Sequence, residues 1–228
     1  MGIVSKEGRI PPQRESELAL ETLHLKSGET REIADASHDV LLFAFAGAGT
    51  LADEPLAAGS AALLLQGEQA ALLAGAEGLA FVRIALGAGT DLHAPMGPRE
   101  RIVAIAAVEP GKATGSRSFQ VLFGPHNGST RATMFVGYVP PGKAPWHYHL
   151  YDEIVWIWRG PGRYHLGDGV EPLEDGSTFR ITPRQVHIVE NTSPDSALAV
   201  LGIFTPAGSP SAAYLMPAVA AAYSLGPS

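Results

Sequence analysis

The sequence predicts an all-β protein of the sandwich or barrel class, on three observations. Its apolar runs are short, 26 glycines and 18 prolines punctuate them, and no long stretch keeps a clean helical period. The first run, 40–46, is VLLFAFA and stops at Gly47 and Gly49; the second, 61–65, stops at Gln-Gly. Strand-like runs follow at 80–86, 101–108, 119–123 and 132–139, each halted by Gly or by a Pro within a few residues. The remaining expected strands are 153–158, 163–166, 178–181, 187–190 and 198–204. Helix is expected only at 14–21 and 212–224. The Ala-rich run 61–80 resembles a helix in composition, but glycines at 67, 75 and 78 would each cost about 1 kcal/mol inside one.

A chain of 228 residues makes one large domain or two small ones. The stretch 109–118, EPGKATGSRS, reads as a linker and divides the chain into 1–108 and 119–228. With 16 basic and 23 acidic side chains the net charge is −7, so a nucleic-acid backbone is not an expected partner. The N-terminus lacks the apolar core of a secretory signal. The most apolar tract, 61–82, is interrupted by Gln66, Glu68, Gln69 and Glu77 and is too broken for a membrane span. A soluble, cytoplasmic protein is expected. With no cysteine, a bound metal would have to sit on histidine, carboxylate or carbonyl groups.

The chemistry gathers in the second half. His147 and His149 stand two apart, so on extended backbone they share one side; Glu153 follows four residues later and opens an apolar strand. His187 begins another strand some thirty residues on. Three imidazoles and one carboxylate form an N,O donor set suited to one divalent Fe, Mn, Ni, Zn or Cu ion, with positions left open for substrate or water. If Glu153 faces inward, so do Val155 and Ile157, and a turn at 160–162 brings Tyr164 and Leu166 to the same face. Trp156, Trp158, Arg163 and His165 then face out: His165 is not an expected ligand, and the two tryptophans should pack on a partner barrel or subunit. Trp146 and Tyr148 are expected at the pocket rim, Tyr148 as a catalytic hydrogen-bond donor or proton shuttle, and Asn191 behind His187. His24, His38 and His93 stand alone, and His126 sits in a turn signal read as surface loop. Neither a phosphate loop nor a serine nucleophile elbow is present.

Gly142, His147, His149, Glu153 and Gly160, with Gly176, Pro183, His187 and Asn191, resemble the two motifs of the cupin family. The first motif has four residues instead of five after its first Gly. The second has six residues before Pro183, and Gln185 where the family usually has Gly. The resemblance implies jelly-roll barrels with a metal inside and substrate entering from the mouth. Shifting the first half by 113 residues sets Asp39 on Asp152, Gly47 on Gly160 and Gly49 on Gly162; a shift of 117 sets Gly59 on Gly176 and Leu64 on Ile181. In that register Ala34, Ala36, Val40 and Ala70 take the ligand positions. The expected architecture is therefore two tandem jelly-roll barrels, a bicupin whose N-terminal barrel has lost its ligands.

The resemblance implies several activities. The leading expectation is a dioxygenase acting on a small oxygenated molecule that chelates the metal, with Glu153 as base. The alternatives are an O₂-independent isomerase or lyase, and a non-catalytic small-molecule binding protein. A homodimer is the expected assembly.

Overall fold

The computed structural model describes residues 4–13, 18–86, 93–113 and 116–215, and among them the chain is almost entirely β-strand. The fold is two tandem jelly-roll barrels. Strands between Arg9 and Ala104 pair only with one another, in an eight-stranded sheet. Its spine is two long strands, Asp39–Leu51 and Gln69–Leu86, which bend through both walls of the barrel. The second half forms two six-stranded sheets. One carries Thr178–Ile181, Asp152–Arg159, Leu198–Thr205, Thr133–Val139, Ser118–Phe123 and Gly111–Lys112. The other carries Gly169–Leu173, Gly162–Leu166, His187–Asn191, His147–Tyr148 and Tyr214–Leu215, with Gly142–Lys143 also paired to His187–Asn191.

The period-two alternation sorts the apolar residues into three cores. Ile33, Val40, Leu42, Leu51, Leu64 and Phe81 fill the first barrel. Val139, Val155, Ile157, Tyr164, Phe179 and Ile181 fill the second. The opposite faces of the same strands, Leu41, Phe43, Val82 and Ile84 against Met134, Ile154, Trp156 and Leu201, make a third core that joins the halves. The tryptophans expected outward pack here: Trp156 lies 4.9 Å from Phe45 and Trp158 stands edge-on to Phe43 at 5.1 Å. They are covered by the other barrel of the same chain.

The pairing registers of the halves coincide. Val40 faces Leu64 as Glu153 faces Ile181, and Gly49 faces Ala74 as Gly162 faces Asn191. A Cβ on Gly49 would meet the Leu73 carbonyl at 2.2 Å, and one on Gly162 the Glu190 carbonyl at 2.6 Å, so both positions require glycine. One register differs from expectation. Ile33, not Ala34, faces Ala70, just as His147 faces His187. Ile33, Val40 and Ala70 all belong to the apolar core of the first barrel.

Several elements depart from the sequence reading. The expected helix at 14–21 gives way to strand Ala19–Leu25, with 14–17 outside the described residues; alternation of buried Leu18 and Leu20 outweighs helix propensity. Of 212–224, the described part ends in strand Tyr214–Leu215. The expected strand 101–108 is cut to Ile102–Ala104, because Ile105–Ala107 turn as a 3₁₀ helix. Within 109–118, Gly111–Lys112 pairs with Ser118–Phe119. Thr30–Ala34, Glu54–Ala57 and Gly169–Leu173 are additional strands, polar or Gly-containing and paired along one side only.

Candidate functional site

Pro140 and Pro141 end the strand Thr133–Val139, since proline cannot donate to the ladder, and the chain returns through Gly142–Lys143 to His147–Tyr148. There His147 pairs directly with His187, and their rings are 4.4 Å apart. His149 stands 5.2 Å from the His187 ring. Glu153 comes from the facing sheet, 5% exposed, with Oε2 2.9 Å from Nε2 of His149. All four residues line one cavity of about 100 Å³ in the second barrel.

Each imidazole is oriented by the backbone. Nδ1 donates to the Pro145 carbonyl in His147 (2.8 Å), to Tyr151 in His149 (3.0 Å) and to Gln185 in His187 (2.8 Å). A carbonyl only accepts, so the proton sits on Nδ1 and the neutral ring keeps a lone pair on Nε2. Burial pushes His147 down to about 4 and His187 to about 3, the latter aided by His147 beside it. Nε2 of His149 has no hydrogen-bond partner although a carboxylate oxygen lies beside it. Two lone pairs thus face each other in a buried place, a contact that a shared cation would make favourable. Among the described residues no three histidine or acidic groups already stand in coordinating position. The donor chemistry, three imidazoles and a carboxylate lining one cavity, fits a divalent ion.

The walls are apolar: Phe135, Val139, Val155, Ile181, Val189 and Val200. Gly202 lies under Glu153. A Cβ there would meet Phe135 at 2.3 Å and Oε1 of Glu153 at 2.8 Å, so only glycine leaves room for the carboxylate. Behind Glu153, Arg180 donates to Asp152 at 2.6 Å and to the carbonyls of Leu18 and Pro11, tying the N-terminal segment to the strand that carries the glutamate.

Not every expected residue joins the site. Tyr148 points away from its flanking histidines and stacks on Tyr214 at 5.3 Å, outside the residues that line the cavity. Tyr151 lies inside instead, stacked between His149 at 4.1 Å and Phe204 at 3.9 Å. Its hydroxyl is pushed above the ordinary tyrosine range by burial and by the charge of Glu153. The signal that would have found it is its place two residues after His149. Asn191 does not touch His187; it donates to the Val139 and Ser196 carbonyls and accepts from Ser193 N–H, bracing the turn that follows. His165 is turned from the cavity onto Glu190 at 2.6 Å. His38 is not alone, since it pairs with Asp35 at 2.7 Å, whereas His126 is exposed in a 3₁₀ turn as expected. The left-handed residue of the His187 turn is Arg184, with φ 66°, rather than Gln185. Gln185 instead closes the turn through its N–H to the Thr182 carbonyl.

Residues 134–204 match the cupin domain family model. That segment holds all four residues. No curated protein sequence matches the chain. Solved structures do resemble it. Oxalate decarboxylase from Bacillus subtilis at pH 4.6 is 16% identical with a TM-score of 0.70, over 92% of this chain and 75% of that one. The same enzyme, in a study of its Mn(II) centres, is 17% identical with a TM-score of 0.70, over 92% and 76%. At this identity the likeness is one of fold. No helix among the described residues is long and apolar enough to cross a membrane.

Proposed function

We propose that the second barrel holds one divalent transition-metal ion on His147, His149, Glu153 and His187. On this reading the protein is a metal-dependent enzyme acting on a small oxygenated organic molecule, in the leading form a dioxygenase. The observation that carries the reading is the backbone fixing of three Nδ1 atoms, which leaves three Nε2 lone pairs on imidazoles that line one cavity with a buried carboxylate, that of His149 2.9 Å from it. The ion, when bound, supplies a Lewis acid and, for Fe, Ni or Cu, O₂ chemistry. The chain supplies the rest. Burial keeps His147 and His187 neutral and ready to donate lone pairs. Glu153, once turned from His149, takes a substrate proton on Oε2, and the apolar walls exclude water around it. The protonated Tyr151 hydroxyl donates a hydrogen bond to a substrate oxygen.

A second reading, an O₂-independent lyase or isomerase using the same residues, draws support from the decarboxylase that this fold resembles. The first barrel, whose matching positions Ile33, Val40 and Ala70 are aliphatic, is on this account a copy without ligands, and the assembly a homodimer. Oxygen uptake by metal-loaded protein over a panel of enols, diketones and 2-oxo acids separates the readings. Substrate-dependent uptake that disappears in Glu153→Gln supports the dioxygenase. Turnover under argon supports the lyase, and binding without turnover contradicts both.

A further inference from the structure

The strand Asp152–Arg159 carries a β-bulge near its end: Ile157 pairs with Val200 and Arg159 with Ala199, so Trp158 is the extra residue. Strict alternation would send Arg159 to the inner face with Val155 and Ile157. The bulge turns it out beside Trp158, and its guanidinium lies over the indole, 4.5 Å from the ring centre. The first barrel has a bulge at the matching place, where Ala44 pairs with Phe81 and Ala46 with Ala80, leaving Phe45 as the extra residue. Phe45 and Trp158, counterparts in the two barrels, come together with Trp156 and His24 around a cleft of about 410 Å³ at the seam, on the face of the strand opposite Glu153. His24 and Arg159 are exposed there, and Phe45 and Trp158 are half-buried. The size is that of a small-molecule pocket, and seams between folded units are where such pockets tend to form.

We infer that this cleft is a second binding site, which takes a planar aromatic monoanion. Its walls supply ring faces and edges, against which a flat ring system stacks. Arg159 is the only Lys or Arg among the described residues that line the cleft, and no described carboxylate pairs with it. Lying on the indole places the guanidinium while leaving its N–H donors free for an anionic group. Asp175 lines the cleft too, its Oδ1 accepting from the Gly160 N–H at 2.8 Å, which braces the turn just after Arg159. That carboxylate repels a second negative charge, so a monoanion suits the cleft better than a dianion. At the position matching Arg159 the first barrel has Ala46, and the anionic group therefore has one place to sit.

The test is calorimetric titration of the full chain with indole-3-acetate and with its neutral counterpart indole-3-acetamide. Wild type is expected to bind the acid about 5-fold tighter than the amide, with raised salt shrinking that margin. Arg159→Gln should remove the preference by weakening the acid alone, and Arg159→Lys, which keeps the charge and loses the fork, should restore part of it. Arg159 is exposed, so both variants should melt with wild type. Trp158→Leu should weaken acid and amide alike, by about 5-fold. The His147→Ala/His187→Ala variant should bind both as wild type does. Equal affinities for acid and amide in wild type, or a preference that survives Arg159→Gln, overturn the inference. Binding that is lost in the double histidine variant also overturns it, by putting the molecule in the cavity of the second barrel. No binding of either compound at ~1 mM overturns it as well; a dimer in sedimentation that Trp158→Leu dissolves would then make the cleft an interface between two copies of the chain.

Discussion

His147 and His187 face each other across one rung of a β-ladder, their rings 4.4 Å apart, and each is held by a carbonyl two residues before it. In the first barrel the same rung is Ile33 opposite Ala70. The two rungs show how one backbone register serves either a donor pair or a hydrocarbon core.

Replacing His187 by Leu converts the polar rung toward its aliphatic counterpart. The metal-free protein should melt within a few degrees of wild type, because leucine keeps the buried position filled and what it gives up is the Nδ1–H bond to the Gln185 carbonyl. Stabilisation on adding Mn(II), expected in wild type, should vanish in the variant. Scanning fluorimetry with and without Mn(II) reads both effects.

Gly202→Ala forces Phe135 or Glu153 to move, since the new methyl would lie 2.3 Å from the one and 2.8 Å from the other. Overpacking of this kind costs about 1–3 kcal/mol. Denaturant unfolding should show that loss, and metal affinity should fall with it, because the new methyl crowds the carboxylate as well as Phe135. A variant with lowered stability and unchanged metal affinity would show that Glu153 is not in the donor set.

Trp156→Ala removes an indole that is 3% exposed from the core joining the two barrels, where it meets Phe45. Such a truncation costs about 3–5 kcal/mol, or at least ~6 °C in melting temperature for a chain of this size. A loss under ~1 kcal/mol would mean that the halves do not depend on this core.

Most of this architecture was legible in the residues. Apolar runs bounded by Gly and Pro marked the central strands, which are buried on both faces, as in the inward Val155 and Ile157 and the outward Ile154 and Trp156. Edge strands such as Thr30–Ala34 and Gly169–Leu173 were not legible. Their side chains are largely exposed, so no apolar pattern marks them, and their pairing is decided by a partner distant in sequence. The short spacing of His147, His149 and Glu153, with His187 some thirty residues on, announced the four side chains, and the structure sets His187 across the ladder from His147 in one cavity. Tyr151 and Arg117 escaped notice for a different reason. Arg117, which also lines the cavity, lies outside both histidine-bearing stretches, and Tyr151, though two residues beyond His149, lies past the short strand that ends at Tyr148.

Acid should weaken the first barrel slightly. Glu68 accepts from Arg99 Nη1 at 2.6 Å and from the Leu65 N–H at 2.9 Å, and the Arg99 bond above all holds its carboxyl below the ordinary value of 4.5. A carboxylate lowered on folding adds stability that is present above the unfolded value and is lost as pH falls through the folded one. Glu68 is partly exposed, so solvent screening limits the contribution to under about 1 kcal/mol. Urea unfolding of wild type and Glu68→Gln should differ at pH 7, and the difference should shrink as the pH is taken below the ordinary carboxylate value. A gap that persists at the lower pH would contradict the assignment.

The central claim is that four side chains of the second barrel hold one metal ion, and elemental analysis by plasma mass spectrometry tests it most directly. The protein should be tag-free and purified without chelators or immobilised metal. The account predicts near one equivalent of Fe, Mn, Ni, Cu or Zn per chain, lost in the His147→Ala/His187→Ala double variant while the barrels stay folded. No metal in wild type even after reconstitution, or the same metal content in the double variant, would contradict it.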